Sequence, residues 1–134
     1  QRHLMKKVLV ADDHGINIEL AIAVLETMGY TGTSAKNGLE AIEKARSEKP
    51  ELILLDYTMP VLNGVEACRQ IREIEGMDTI PIFFLSGNDE LKDRQAALRA
   101  GADDFLSKPF NEQTLKEALW VYENTKKNSV SRAS

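Results

Sequence analysis

The sequence predicts a doubly wound α/β domain, (βα)5, with a five-stranded parallel sheet of order 2-1-3-4-5 and helices on both faces. Three observations carry this. Short apolar runs alternate with segments of helical period along the chain. Several of those runs are apolar at every position, as strands buried on both faces of a parallel sheet are. The connections are short, and right-handed crossovers then lay helices over both faces.

The elements follow in order. Val8–Ala11 is a continuous apolar strand. Asn17–Met28 is helical, with Gly29 placed to end it as a left-handed C′ residue. Tyr30–Ala35 is a more polar strand that belongs nearer the sheet edge. Gly38–Glu48 is helical, with Leu39, Ile42 and Ala45/Arg46 at helical spacing and Pro50 beyond its end. Leu52–Leu55 is the most apolar strand, followed by a loop over Thr58–Gly64. Val65–Glu75 is a helix whose inner face runs through Val65, Cys68, Ile71/Arg72 and Glu75. Ile82–Leu85 is a strand, Asp89–Ala100 a helix stopped by Gly101, and Asp104–Ser107 the last strand. Asn111 caps a final helix to about Lys126, with a core stripe of Leu115, Ala118, Leu119 and Tyr122.

Length and composition narrow the function. With 134 residues one domain is expected: residues 7–126, preceded by an N-terminal extension or cloning remnant (1–6) and followed by a flexible polar tail (127–134). A net charge of −4 argues against direct binding to nucleic acid. No apolar stretch reaches the roughly 20 residues of a membrane span, so no membrane insertion by this segment is expected, and no signal peptide is recognised. The single Cys68 rules out an internal disulfide and fits a reducing, cytoplasmic setting. It reads as a helix packing residue rather than a reactive thiol.

The strand ends carry the chemistry. Asp12 and Asp13 follow the first strand, Asp56 the third, Ser86 the fourth and Lys108 the fifth. Ligands of open α/β sheets bind beyond the carboxyl edge, at the switch point between the first and third strands here. Three carboxylates crowded there repel one another unless a cation sits between them, and hard oxygen ligands suit Mg2+, with Mn2+ as a substitute. Asp56 is the candidate nucleophile, because a carboxylate can attack phosphorus and form an acyl phosphate. Lys108 and the Ser86 hydroxyl are placed to neutralise and bind the phosphoryl oxygens.

The ordered set V-A-D-D (Val10–Asp13), L-L-D-Y-T-M-P-V-L-N-G (Leu54–Gly64), F-L-S-G (Phe84–Gly87) and G-A-D-D-F-L-S-K-P-F (Gly101–Phe110) resembles receiver domains of two-component response regulators, over about Lys7 to Lys126. The resemblance implies a flavodoxin-like fold. It implies that Asp56 is the phosphoacceptor, that Asp13 binds Mg2+ directly and Asp12 mostly through water, and that the Thr58 backbone carbonyl is a further ligand. Ser86 matches the hydroxyl that moves toward the phosphate, and Lys108 the lysine of the motif. Phe105 stands at the aromatic switch position, where a tyrosine is frequent; its ring has no hydroxyl to bond. Thr58 and Asn88 occupy the two positions that tune dephosphorylation. Such a domain catalyses its own phosphorylation and slow autodephosphorylation without being a conventional multiple-turnover enzyme.

Asn17, following D-D-H-G-I, is similar to receivers of hybrid histidine kinases, where D-D-N-x-x-N is common. His14 departs from that pattern and reads as a loop residue beside the metal site. The implied partner is a histidine kinase or histidine phosphotransfer domain. The domain is then cytoplasmic, free or as the cytoplasmic part of a membrane-bound hybrid kinase. In the first helix one apolar stripe (Ile18, Ala21/Ile22, Leu25, Met28) must face the sheet. A second, through Ile16 and Leu20, stands near the functional loops and forms a docking patch with Pro109 and Phe110. Trp120 in the last helix either meets a homodimer partner or neighbouring domain, or lies flat on its own helix.

Other functions fit parts of the pattern. A Mg2+-dependent phosphatase acting through an aspartyl phosphate would carry an acid two residues after the nucleophile, where Thr58 stands. A flavin binder would follow its first strand with a hydroxyl- and Gly-rich loop, where Asp12-Asp13-His14 is anionic. A receiver that signals without phosphate would not need the intact set of five residues.

Overall fold

A computed structural model describes residues 6–87, 91–108 and 110–133. Its elements alternate as expected: β1 (Lys6–Ala11), α1 (Gly15–Glu26), β2 (Tyr30–Ala35), α2 (Gly38–Glu48), β3 (Leu52–Asp56), α3 (Gly64–Arg72), β4 (Ile82–Ser86), α4 (Leu91–Ala100), β5 (Asp104–Ser107) and α5 (Glu112–Ala133). All four strand pairings are parallel, and the sheet order is β2-β1-β3-β4-β5. β3 lies at the centre, and the weak strand Tyr30–Ala35 is at an edge.

The sheet divides the core into two layers, and the period-2 alternation of side chains assigns each residue to one of them. Leu9, Ala11, Ile53, Leu55, Ile82, Phe84 and Phe105 pack with α2, α3 and α4. Val8, Val10, Leu52, Leu54, Phe83 and Leu85 pack with α1 and α5. Because both faces are covered, β3 and β4 are buried along their whole length, which explains why each is apolar up to its last residue, Asp56 or Ser86.

Several boundaries differ from the sequence expectation. α1 begins at Gly15 rather than Asn17, because His14 is already its extended N-cap residue and its carbonyl accepts from Ile18 N–H. It ends at Glu26 rather than Met28, and a turn through Thr27 and Met28 leads to Gly29 at φ +90°. α3 stops at Arg72 rather than Glu75, so Glu75 is exposed beyond it and not on its inner face. Leu39 is 50% exposed, because α2 buries Gly38, Ala41, Ile42 and Ala45 instead. α5 runs past Lys126 to Ala133; no Gly or Pro after residue 111 stops it. At Gly101 the reading holds. Its φ is +114°, and Ala102 N–H donates back to Ala97 in a Schellman closure.

Arg72 explains the early end of α3. Its guanidinium donates to the carbonyls of Met77 (2.9 Å), Ile80 (2.7 Å) and Gly101 (2.7 Å) and to Asp103 Oδ2 (2.8 Å). Asp103 Oδ2 also accepts from Ile82 N–H, at 3.0 Å. One cation thus ties the end of α3 to the first residue of β4 and the approach to β5. Both members of the pair are mostly buried, at 15% and 16% exposure, whereas the Arg69–Glu66 pair on the same helix is open to water. Arg72→Met should therefore destabilise the domain by about 3 kcal/mol in urea unfolding. Arg69→Met should cost less than about 1 kcal/mol.

Candidate functional site

Four strand ends meet at the carboxyl edge. Val8, Val10 and then Asp12 share one side-chain parity, as do Leu52, Leu54 and Asp56, so both carboxylates emerge on the α1 side of the sheet. Ile82, Phe84 and Ser86 share the opposite parity. Backbone bonds fix each end to its neighbour: Asp12 N–H donates to Ala35 (3.0 Å), Tyr57 N–H to Leu85 (2.9 Å) and Lys108 N–H to Ser86 (2.8 Å). The loop after β3 returns tightly, with Gly64 N–H donating to Tyr57. A Cβ on Gly64 would lie 2.4 Å from the Asp56 carbonyl oxygen, so only glycine lets α3 start this close to the site.

Asp12, Asp56 and Ser86 are the buried polar residues of the described chain, at 1%, 4% and 5% exposure. Lys108 reaches in from β5, its Nζ 3.4 Å from Asp12 Oδ2 and 3.3 Å from Asp56 Oδ1. Thr58 N–H approaches Asp56 Oδ1 at 3.4 Å. Asp13 is more open to solvent, and its Oδ1 lies 3.1 Å from His14 Nδ1. Asp12, Asp13, His14 and Asp56 each offer a ligand atom, all within 4.8 Å of one another. Burial first, and the Asp12 charge second, push the Asp56 carboxyl up to about 6; Lys108 and the Thr58 N–H pull the other way. A buried carboxylate in that position calls for more positive charge than one ammonium supplies.

The wider frame fits as well. A family model described as the response regulator receiver domain matches residues 8–120. The chain belongs to the response regulator receiver family. It is 43% identical over 106 residues to the alkaline phosphatase synthesis transcriptional regulatory protein PhoP of Bacillus subtilis, a match covering 79% of this chain and 43% of that protein. The chain thus spans less than half the length of that relative. The chemotaxis protein CheY4 of Vibrio cholerae superposes with a TM-score of 0.83 at 31% identity, covering 89% of this chain and 99% of that one. The receiver domain of sensor histidine kinase PA1611 of Pseudomonas aeruginosa, solved with a magnesium ion in its active site cleft, superposes with a TM-score of 0.81 at 33% identity, covering 89% of this chain and 98% of that one.

Of the residues singled out in the sequence, this receiver domain brings Asp12, Asp13, Asp56 and Lys108 into one cluster, and Ser86 ends the strand beside Asp56. Phe105 is buried at 4% exposure, stacked on Phe84 with centroids 6.4 Å apart. The Arg94 guanidinium lies 5.4 Å from its ring centroid. Ile16 and Leu20 are 68% and 60% exposed. Beside them a groove of about 370 Å3, lined by Leu20, Ala21, Val24, Leu85 and Phe110, opens onto Asp12 and Lys108. Pro109 and Asn88 lie outside the described residues. Trp120 is 65% exposed.

One participant is not evident from the sequence. Tyr57, next to Asp56, packs against both Phe84 and Phe105, at 5.9 and 6.0 Å between centroids. Burial and the Asp93 carboxylate, which its hydroxyl donates to, push the Tyr57 pKa up. A hydroxyl absent from Phe105 is therefore present one ring away. His14, expected beside the metal site, is there, and its imidazole turns onto the carboxylates.

The raised Asp56 pKa has a stability consequence. Folding favours the protonated carboxyl, so this contribution is fully present below the ordinary carboxylate range and is lost as pH rises through about 6. In chelator, Asp56→Asn should be more stable than wild type by about 2–3 kcal/mol at pH 8. The difference should close as pH falls toward about 4. Urea midpoints across that range test it.

Proposed function

We propose that this receiver domain accepts a phosphoryl group on Asp56 from the phosphohistidine of a histidine kinase or phosphotransfer protein, and that the modification switches a protein-binding surface. The observation that carries this reading is the buried Asp56 carboxylate, held between a second buried carboxylate and the Lys108 ammonium.

An Asp56 oxygen attacks phosphorus, the P–O bond forms, and the P–N bond to the donor imidazole breaks, its electron pair leaving with the ring nitrogen. Lys108, 3.3 Å from Asp56 Oδ1, offsets negative charge on the carboxylate and then on a phosphoryl oxygen. The Ser86 hydroxyl, across the strand ends on the opposite parity, donates to another. Asp12, Asp13, Asp56 and the Thr58 backbone carbonyl would hold Mg2+, which supplies the remaining charge neutralisation. The donor set of hard, crowded oxygens fits that ion.

The modification biases an equilibrium between two surface states. Ser86 and Phe105 are the switch residues, with Tyr57 and Arg94 linking Phe105 to the neighbourhood of Asp56 and to α4. The donor docks on Ile16, Leu20, Pro109 and Phe110: the groove beside Leu20 accepts an apolar side chain from a partner helix and opens onto Asp12 and Lys108, the two side chains that flank Asp56. Exposed Trp120, Val121 and Leu98 offer α4 and α5 a second contact, with a homodimer partner or neighbouring domain. The setting proposed is cytoplasmic, and among the described residues no helix is long and apolar enough to cross a membrane.

Incubation with acetyl phosphate and Mg2+ should add one phosphoryl group by intact mass. The gain should vanish in Asp56→Asn or in chelator, and Lys108→Met should slow it about 100-fold. Full labelling of Asp56→Asn would sink the assignment. Leu20→Glu should weaken transfer from a cognate phosphohistidine protein about tenfold while leaving acetyl phosphate labelling unchanged. Equal transfer by both proteins would remove the groove from the docking surface.

A further inference from the structure

The side chain that the phosphoacceptor reading leaves unused is His14. It is the N-cap residue of α1, in extended conformation (φ −109°, ψ 115°), yet its side chain makes no capping hydrogen bond. Instead its backbone N–H donates to Asp12 Oδ1 at 2.9 Å, which pins the residue beside the acidic cluster. Its Nδ1 then lies 3.3 Å from Asp12 Oδ1 and 3.1 Å from Asp13 Oδ1. Two ligand atoms on one ion, each about 2.1 Å from it, are about 3.0 Å apart in adjacent octahedral positions and about 3.4 Å apart in tetrahedral ones. The imidazole nitrogen thus stands from both carboxylates at the separation that shared coordination requires. Asp56 completes the group within 4.8 Å.

We propose that His14 makes this cleft a mixed nitrogen–oxygen site that binds a borderline divalent transition ion, of the Zn2+, Co2+ or Cu2+ class, in competition with Mg2+. The inference rests on the reading of the cleft as the receiver's cation site. Mg2+ takes oxygen ligands, keeps several waters and gains little from an imidazole. Borderline ions bind imidazole well and sit higher in the affinity order for such sites. The same carboxylates cannot serve both ions at once, so a transition ion held by His14, Asp12, Asp13 and Asp56 excludes Mg2+. It also makes the metal supply an input to the switch.

The test uses the full chain stripped with chelator, on a His3→Asn background that removes the other of its two histidines. Co2+ is titrated by visible absorption and Mg2+ by calorimetry, with and without His14→Asn. His14 is 65% exposed, so its replacement does not threaten folding. The expected result is a loss of about tenfold or more in Co2+ affinity with Mg2+ affinity changed less than about twofold. In the Cu2+-loaded protein, pulsed electron paramagnetic resonance should show modulation from the remote imidazole nitrogen, lost in His14→Asn. Equal Co2+ affinity in both proteins, or no imidazole modulation in the protein that retains His14, overturns the proposal while leaving the Mg2+ site intact. Failure of both Mg2+ and Co2+ to bind overturns it together with the cation-site reading. Absence of phosphoryl labelling, with the Co2+ difference present, overturns the phosphoacceptor reading alone.

Discussion

The structure turns on the repulsion between two carboxylates that the fold forces together. β1 and β3 are adjacent and parallel, so the residues that follow Ala11 and Leu55 leave the sheet side by side. Both are aspartates and both are buried, and backbone bonds hold the strand ends that carry them. The charge they carry must be met locally. Lys108 meets part of it, reaching across from the fifth strand to touch both. Burial first, and then the Asp12 charge that Lys108 leaves unmet, raise the Asp56 carboxyl and make the cleft favourable to a cation. Apolar burial positions the acids; the acids then define the chemistry.

The same economy governs the approach to the site. Gly64 brings α3 against the Asp56 carbonyl, and the Arg72 clamp at the other end of that helix fixes the first residue of β4 through Asp103. A short helix is thereby tied at its start to Asp56 and at its end to the strand that carries Ser86. In the loop between β3 and α3, Val61 adopts a left-handed conformation, φ 70°, unusual for a β-branched side chain. The strain sits in the loop that leads from Asp56 to α3, beside the site, where backbone strain tends to collect.

Much of this was legible in the residues. Strands buried on both faces declare themselves as unbroken apolar runs, and Leu52–Leu55 and Ile82–Leu85 did so. The strand-end positions of Asp12, Asp56, Ser86 and Lys108 followed directly. Helix ends were less legible, because they depend on contacts distant in sequence. The stop of α3 depends on Arg72 finding carbonyls at Met77, Ile80 and Gly101, and no local pattern encodes Gly101. Inner and outer faces blurred where a helix buries small residues: α2 packs Gly38, Ala41 and Ala45 and leaves the larger Leu39 outside. Tyr57 escaped notice because its partners, Phe84, Phe105 and Asp93, come from three other elements.

The division of the core by the sheet has a spatial consequence. Ile16 and Leu20 stand on α1, over one layer, while Phe105 and the inner side of α4 belong to the other. The sheet lies between them. A protein seated on the first helix and a protein seated on the fourth would approach from opposite sides and need not displace one another. The domain can stand as a wall shared by two rooms, with the carboxylates set in its upper edge where both can be felt.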